Sequence, residues 1–172
     1  MDINKYIIYT DGSSKGNPGP GGWGAVIING GHIKELGGRE EKTTNNRMEM
    51  TAAIKALQII PEKPLLINSD EMKIEMYTDS EYLMKGITIW IKSWQKNDWR
   101  TKDKKDVLNK DLWEELWTET SKRKIEWKKV LGHSGEEWNE RCDEIATNFA
   151  DGLTGTGLYD GPESAYKVFH HN

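Results

Sequence analysis

Four carboxylates occupy places that are hard to account for as ordinary surface positions. Asp11 and Asp79 each close an apolar run with the same tripeptide, Tyr-Thr-Asp, in "KYIIYTDGSS" and "KIEMYTDSEY". Either one alone reads equally well as a turn opener or a helix cap, roles that short Asp side chains fill readily. Glu49 lies in "TTNNRMEMTAAIKALQII", where Ala52, Ala53 and Ala56 follow at i+3, i+4 and i+7. Asp143 repeats the pattern with Ala146 and Ala150. Such stripes of small residues suit close packing on a sheet, and a carboxylate there loses hydration unless a cation or hydrogen-bond donors meet it. The alternative places Glu49 and Asp143 on the wet edge of their stripes. Four carboxylates that converge without a basic partner repel one another, and their pKa values rise. A hard divalent cation relieves that repulsion, and Mg²⁺ prefers oxygen ligands while keeping several waters. Two such ions, bridged by carboxylates, can activate a water and stabilise a leaving oxygen in phosphodiester cleavage. The pattern points to phosphoryl chemistry. His133, in the loop "LGHSGEEW" between Gly132 and Gly135, suits proton shuttling or product release; its plain reading is an exposed loop histidine. His32, His170 and His171 are given no role.

The elements that must carry these groups follow from pattern. "KYIIYT" is a strand buried on both faces. "DGSSKGNPGPGG" reads as a glycine- and proline-rich loop, without the Gly-Lys-Ser/Thr ending of a phosphate-binding loop. "WGAVIING" and "HIKELGGREE" form a hairpin at "NGG". The segment from Thr43 to Ile60 is a helix that Thr43, Thr44 or Asn45 can cap, ended by Pro61 and Pro64. "PLLINSDEMKIEMYT" holds the fourth strand, with "NSDEMK" as a turn or insertion. "SEYLMKGITIWIKSWQ" is helical but interrupted at Gly86. "DLWEELWTETSKR" is an amphipathic helix with Leu112 and Leu116, and Trp113 and Trp117, at i, i+4. "KIEWKKV" is a fifth strand, and "NERCDEIATNFADG" a last helix with Asn139 as cap and Gly152 as stop. The order β-β-β-α-β-α-β-α predicts an α/β fold: a five-stranded mixed sheet, three antiparallel strands then parallel ones, flanked by helices. In such a sheet the strands ending in Asp11 and Asp79 lie parallel and side by side, and ligands bind at strand C-termini.

Charge is unevenly distributed. The chain of 172 residues carries a net charge of −4, yet the segment Lys92–Lys110 holds seven basic and three acidic residues. A cationic segment on an acidic body suggests a polyanionic partner. One cysteine, Cys142, excludes an internal disulfide framework. No apolar stretch approaches the ~20 residues of a membrane span, and no signal peptide is evident. The expected setting is the cytoplasm.

The motifs "YTDGSSKGNPGPGGWGAV", "TTNNRMEMTAAIKAL", "YTDSEYLMKGI", "WIKSWQKNDWRTKDKKDVLNKDLW" and "GHSGEEWNERCDEIA" resemble type 1 ribonuclease H, in its bacterial form, in the family's order from about Tyr6 to Gly152. The resemblance implies the ribonuclease H-like fold, with a catalytic domain over 1–152 and a tail, 153–172, whose glycines suggest mobility while Leu158, Tyr159, Tyr166 and Phe169 are available to dock. It implies hydrolysis of the RNA strand of RNA–DNA hybrids with two Mg²⁺ ions, Mn²⁺ substituting, to give 5′-phosphate and 3′-hydroxyl ends. The catalytic acids and metal ligands fall on Asp11, Glu49, Asp79 and Asp143, and the mobile-loop histidine on His133.

Contacts to the RNA strand fall on Asn17, Asn45 and Asn46, close to the 2′-hydroxyls that distinguish RNA from DNA. A DNA-phosphate pocket falls on Thr44 and Asn109, with Lys42 where an arginine often stands; Lys keeps the charge but loses the bidentate fork. The cationic segment, about 92–110, resembles the family's basic handle, in which Trp90, Trp94 and Trp99 with Lys102, Lys104 and Lys105 line the DNA strand. Trp90 and Trp94, at i, i+4, are also candidates for the core. Glu81 stands where the enteric bacterial form carries glutamine, so a base contact there is in doubt and a place in the outer shell of the metals is open to it. No membrane partner and a monomeric state are expected. Competing readings are a non-catalytic hybrid-binding module, an integrase-like enzyme acting on DNA duplexes, and the nuclease domain of a reverse transcriptase.

Overall fold

The computed structural model describes residues 2–62, 72–130, 136–153 and 157–166. Three strands, β1 (Lys5–Ser14), β2 (Gly19–Asn29) and β3 (His32–Thr43), form an antiparallel meander. β2 and β3 meet through Gly30 and Gly31, whose φ values of 52° and 79° give the two left-handed positions of a tight hairpin turn. Helix α1 (Asn45–Gln58) crosses over to β4 (Lys73–Thr78), which lies parallel to β1. A helical arm then runs through α2 (Glu81–Lys85), a π-turn at Gly86–Trp90 and α3 (Ile91–Lys96). Helix α4 (Lys110–Ser121) leads to β5 (Ile125–Lys129), parallel to β4, and α5 (Glu137–Ala150) follows.

The sheet has six strands in the order β5-β4-β1-β2-β3-β6. The mixed α/β architecture is the expected one, and the strand count exceeds the expectation of five. The added strand, β6 (Asp160–Pro162), comes from the C-terminal segment and pairs antiparallel with the His32–Lys34 stretch of β3. Its three residues carry no apolar alternation, so no strand signal stands in the sequence. Tyr159 and Tyr166 do dock on the body; Phe169 lies outside the described residues, as does most of the "NSDEMK" segment.

Three local expectations change. Much of the glycine-rich "loop" is strand: Asp11 to Ser14 pair with Gly24 to Gly21. The interruption at Gly86 does not break the arm, because the π-turn absorbs it. A side chain at Gly86 would place its Cβ 2.0 Å from the indole of Trp113, so the glycine is there for the tryptophan that α4 buries completely. The last helix begins before Asn139, at Glu137, with Glu136 extended ahead of it. Glu137 and Glu140 in its first turn favour the positive end of the helix dipole, which makes the earlier start stable. Its other end is as expected: Gly152 has φ 76°, and its N–H and that of Leu153 bond Phe149 and Asn148 carbonyls, closing a Schellman motif.

Two cores sandwich the sheet. On one face α1, the helical arm and α4 bury Ile8, Ala53, Leu57, Met76, Leu83, Trp113 and Leu116. On the other, Cys142 of α5 packs in a cluster with Tyr9, Val26 and Ile33. Glycines in β2 let α5 approach closely: a Cβ on Gly22 would lie 2.2 Å from the Ala146 carbonyl oxygen. Among the described residues no helix is long and apolar enough to cross a membrane.

Candidate active site

Parallel pairing of β1 with β4 matches Tyr9 to Tyr77, and the two rings stack with centroids 4.6 Å apart. Asp11 and Asp79 stand two residues beyond that pair, so the register carries both carboxylates to the same end of the sheet. Glu49 arrives from α1. Thr44 caps that helix by accepting the Arg47 N–H at 3.2 Å, and Gly12 lets the helix press onto β1. A Cβ at Gly12 would lie 2.3 Å from the Glu49 backbone nitrogen. Glycine directly after the strand aspartate is therefore what seats Glu49 beside Asp11.

Asp11, Glu49 and Asp79 each offer an oxygen, and these atoms lie within 4.8 Å of one another. Asp11 and Glu49 are buried, Asp79 half-buried. Burial lifts the Asp11 carboxyl to about 7; the charges of Asp79 and Asp143 add to the rise, while Glu49 and the Gly12 N–H, 2.9 Å away, oppose it. Burial and then the Asp11 charge push Glu49 well above the usual carboxylate range. Asp79 is raised by burial and by Asp143, against the pull of its own backbone N–H. Asp143 is exposed on α5 rather than buried along the alanine stripe, which Cys142, Ile145 and Ala146 occupy instead. It stands outside the group of three, but its charge acts on Asp11 and Asp79. One Glu49 oxygen is buried without a hydrogen-bond partner. An orphaned carboxylate oxygen inside a cluster of acids makes a donor set that could hold a hard divalent cation. His133 lies outside the described residues.

Next to the acids, Ser14, Gly16, Asn17, Thr44, Asn45 and Asn46 line a polar cleft. Asn45 accepts the Ser14 N–H at 2.5 Å, which ties α1 to the end of β1, while Asn17 and Asn46 are exposed to the cleft. Thr44 and Asn109 are joined through Arg47. The guanidinium donates to Asn109 Oδ1 at 3.2 Å and makes a bidentate pair with Asp111 at 2.9 and 2.8 Å. Asn109, held in a left-handed conformation at φ 61°, donates in turn to the Tyr82 hydroxyl at 2.9 Å. Lys42 is exposed and lines a neighbouring hollow with Arg47, Thr51 and Lys55. Arg47 and Tyr82, which hold Asn109, carry no signal of that role in the sequence, because only folding brings them to it.

The basic handle is an aromatic stack with a charged tip. Trp90, Trp94 and Trp99 are all half-buried; Trp94 touches the other two and the core Trp113, with centroids 5.4 to 6.3 Å apart. Trp94 is thus both core and surface. Trp90 and Trp94 share a cleft with Ile89, Ser93, Asn97 and Lys102. The tip, closed by the Arg100–Asp106 bridge, leaves Lys102, Lys104 and Lys105 exposed. Glu81 is bound by Lys129 at 2.5 Å and by Lys85 at 3.7 Å, which hold its carboxyl below the usual range and direct it to lysines rather than to the acids.

A mixed sheet that delivers carboxylates from two parallel strand ends and a crossover helix defines the ribonuclease H-like class of folds. The chain belongs to the ribonuclease H family, whose pattern it matches over residues 3–151. It is 49% identical over 152 residues to a ribonuclease H of Francisella philomiragia, covering 88% of this chain and 95% of that one. A ribonuclease H of Dechloromonas aromatica is 51% identical over 148 residues, with 86% and 95% covered. Among solved structures it resembles LC9-RNase H1, a type 1 enzyme with the type 2 active-site motif, at TM-score 0.77 and 27% identity over 98% of this chain and 82% of that one. LC11-RNase H1, solved in complex with an RNA/DNA hybrid, matches at TM-score 0.62 and 25% identity, covering 87% and 99%.

Proposed function

We propose that this protein is an endoribonuclease that hydrolyses the RNA strand of RNA–DNA hybrids with two divalent ions, Mg²⁺ or Mn²⁺, leaving 5′-phosphate and 3′-hydroxyl ends. The observation that carries the reading is the cluster of buried Asp11 and Glu49 with half-buried Asp79, which includes an orphaned Glu49 oxygen. The curated relatives bear the name ribonuclease H, and one solved relative holds a hybrid.

Asp11, Glu49, Asp79 and Asp143 would hold the ions. When bound, these supply an acidified water and a counter-charge for the leaving oxygen. The chain's own residues do the rest. The hydroxyl and amides of Ser14, Asn17, Asn45 and Asn46 offer hydrogen bonds to the RNA minor groove and its 2′-hydroxyls. Thr44 and Asn109, with Lys42 nearby, receive a phosphate of the DNA strand. Trp90, Trp94 and Trp99 pack on deoxyribose, where a 2′-hydroxyl would crowd them. His133 takes the proton-transfer role in product release. In the reaction, water adds to phosphorus, the P–O3′ bond breaks, and the 3′ oxygen leaves with a proton. We place the enzyme, as a monomer, in the cytoplasm; its buried free thiol at Cys142 accords with a reducing compartment.

Cleavage of one sequence as RNA–DNA hybrid, duplex DNA and duplex RNA tests this directly. Cutting is expected of the hybrid alone, in its RNA strand; cutting of duplex DNA would instead favour the integrase-like reading, and binding without cutting the non-catalytic one. Neutralising Lys102, Lys104 and Lys105 together is expected to raise KM and lower its salt dependence by up to about three counterions, with kcat little changed. An unchanged KM would remove the handle from the DNA-strand contact.

A further inference from the structure

The C-terminal segment does more than lengthen the sheet. It closes over Glu35, a carboxylate on β3 whose side chain has no exposed surface. Arg141, on α5, meets Glu35 with two parallel bonds of 2.6 and 2.9 Å. From the tail, the Tyr159 N–H donates to it at 2.8 Å and the Tyr166 hydroxyl at 2.8 Å. The Glu35 N–H returns a bond to the Tyr159 carbonyl at 2.7 Å. Tyr166 is buried and packs on both Trp138 of α5 and Tyr159, each at 5.1 Å. The tail therefore grips α5 at two points, Trp138 and Arg141, with Glu35 as the common anchor.

Asp143 is two residues beyond Arg141. Residues two apart on an α-helix lie about 200° apart around its axis, so Asp143 points away from the side on which Arg141 meets Glu35 and the tail. A rotation or slide of α5 that loosened Arg141 from Glu35 would carry Asp143 away from Asp11 and Asp79. A buried bidentate ion pair tolerates little displacement, because breaking it strands a charge without water. We infer that Glu35 and Arg141, latched by Tyr159 and Tyr166, are positioning residues that set where α5 presents Asp143 to the metal site.

The part of this concerning metal rests on the reading of the acids as ligands, and the test separates the two. In the full-length protein, Glu35→Gln keeps the shape and removes the charge, and Tyr166→Phe removes a single hydroxyl while keeping the ring. Leu116→Val on α4 serves as a control that destabilises a core remote from α5. Mn²⁺ binding is measured by calorimetry without substrate, well below each variant's Tm. Backbone hydrogen exchange of α5 is followed in parallel without metal. Supporting partners of metal ligands are worth about 10–100-fold in affinity, so Glu35→Gln should weaken Mn²⁺ binding toward the lower end of that range, with Tyr166→Phe weaker in the same direction and Leu116→Val unchanged. Exchange around Asp143 should accelerate about tenfold in Glu35→Gln and not in the control. Unchanged Mn²⁺ affinity with a lowered Tm would make the latch structural only and overturn the inference, and so would unchanged α5 exchange. If the unaltered protein bound no Mn²⁺, the metal reading would fail, while the exchange rates would still decide whether the latch fixes α5.

Discussion

Asp79→Asn is expected to abolish cleavage of a hybrid while the hybrid still binds. Asp79 is the least buried of the three clustered acids, and the parallel β1/β4 register places it beside Asp11. Burial, and then the charge of Asp143, raise its pKa, so its charge is disfavoured without a cation and a cation is favoured when one is offered. Asparagine preserves the size and one oxygen but removes the charge that a divalent ion requires. Losing a group that merely supports a metal ligand costs about 10–100-fold, so losing a ligand should lower kcat by more than about 100-fold. Binding is expected to hold, because the cleft of Asn17, Asn45 and Asn46 and the handle are built from other elements. The check is kcat on a labelled hybrid in Mg²⁺ beside Kd from a gel shift. Substantial remaining activity would remove Asp79 from the metal site.

The second large effect is on stability without metal. Asp11 has a folded-state pKa of about 7 against 3.8 for an unperturbed aspartate, and Glu49 and Asp79 are raised as well. A raised carboxylate binds more protons folded than unfolded, so its contribution to stability is intact below the unfolded value and is lost as pH rises through the folded one. Glu35 works in the opposite sense. Burial pushes it up, but Arg141, Tyr159 and Tyr166 more than offset that, so its contribution is present at neutral pH and is lost only as pH falls below the usual carboxylate range. The metal-free protein is therefore expected to be most stable near about pH 4.5 and to lose stability toward about pH 8. Each pKa unit is worth about 1.4 kcal/mol, so the fall in Tm should be on the order of 5–10 °C. Adding Mg²⁺ or Mn²⁺ at the higher pH should restore much of it, since a ligand that binds only the folded state stabilises it. Asp11→Asn should raise the metal-free Tm at the higher pH and change it little at the lower one. Thermal unfolding followed by circular dichroism in a chelator checks all of these; a Tm that rises from about pH 4.5 to 8 would contradict the repulsive cluster.

What the sequence made legible was mostly what repeats or pairs locally. Tyr-Thr-Asp at two strand ends implied adjacent carboxylates once a crossover helix was placed between them, and the register of Tyr9 on Tyr77 has that consequence. A helix cap among Thr43, Thr44 and Asn45, which falls to Thr44, and Gly30-Gly31 as hairpin turn are short-range chemistry. The misreadings concern residues whose partner is distant in sequence. Gly86 looked like a helix breaker because Trp113, the reason for it, is on another helix. The glycines after Asp11 looked like a loop because the helices that press on them come later in the chain. Asp143 looked buried by its alanine stripe, although α5 turns that stripe, and not the aspartate, to the sheet. Glu35 carried no signal at all: a single glutamate in a polar strand gives no hint of an arginine 106 residues away.

Hydrolysis by a metal-held water is tested most directly by the chemistry of the product ends. A hybrid with end-labelled RNA is cut in Mg²⁺, in Mn²⁺ and in a chelator, and the ends are identified by enzymatic labelling and mass spectrometry. The arrangement of Asp11, Glu49, Asp79 and Asp143 predicts 5′-phosphate and 3′-hydroxyl ends, formed only with a divalent ion. Cyclic 2′,3′-phosphates with 5′-hydroxyls, or cutting that persists in the chelator, would mean that the 2′-hydroxyl attacks and that the acids are not a metal site.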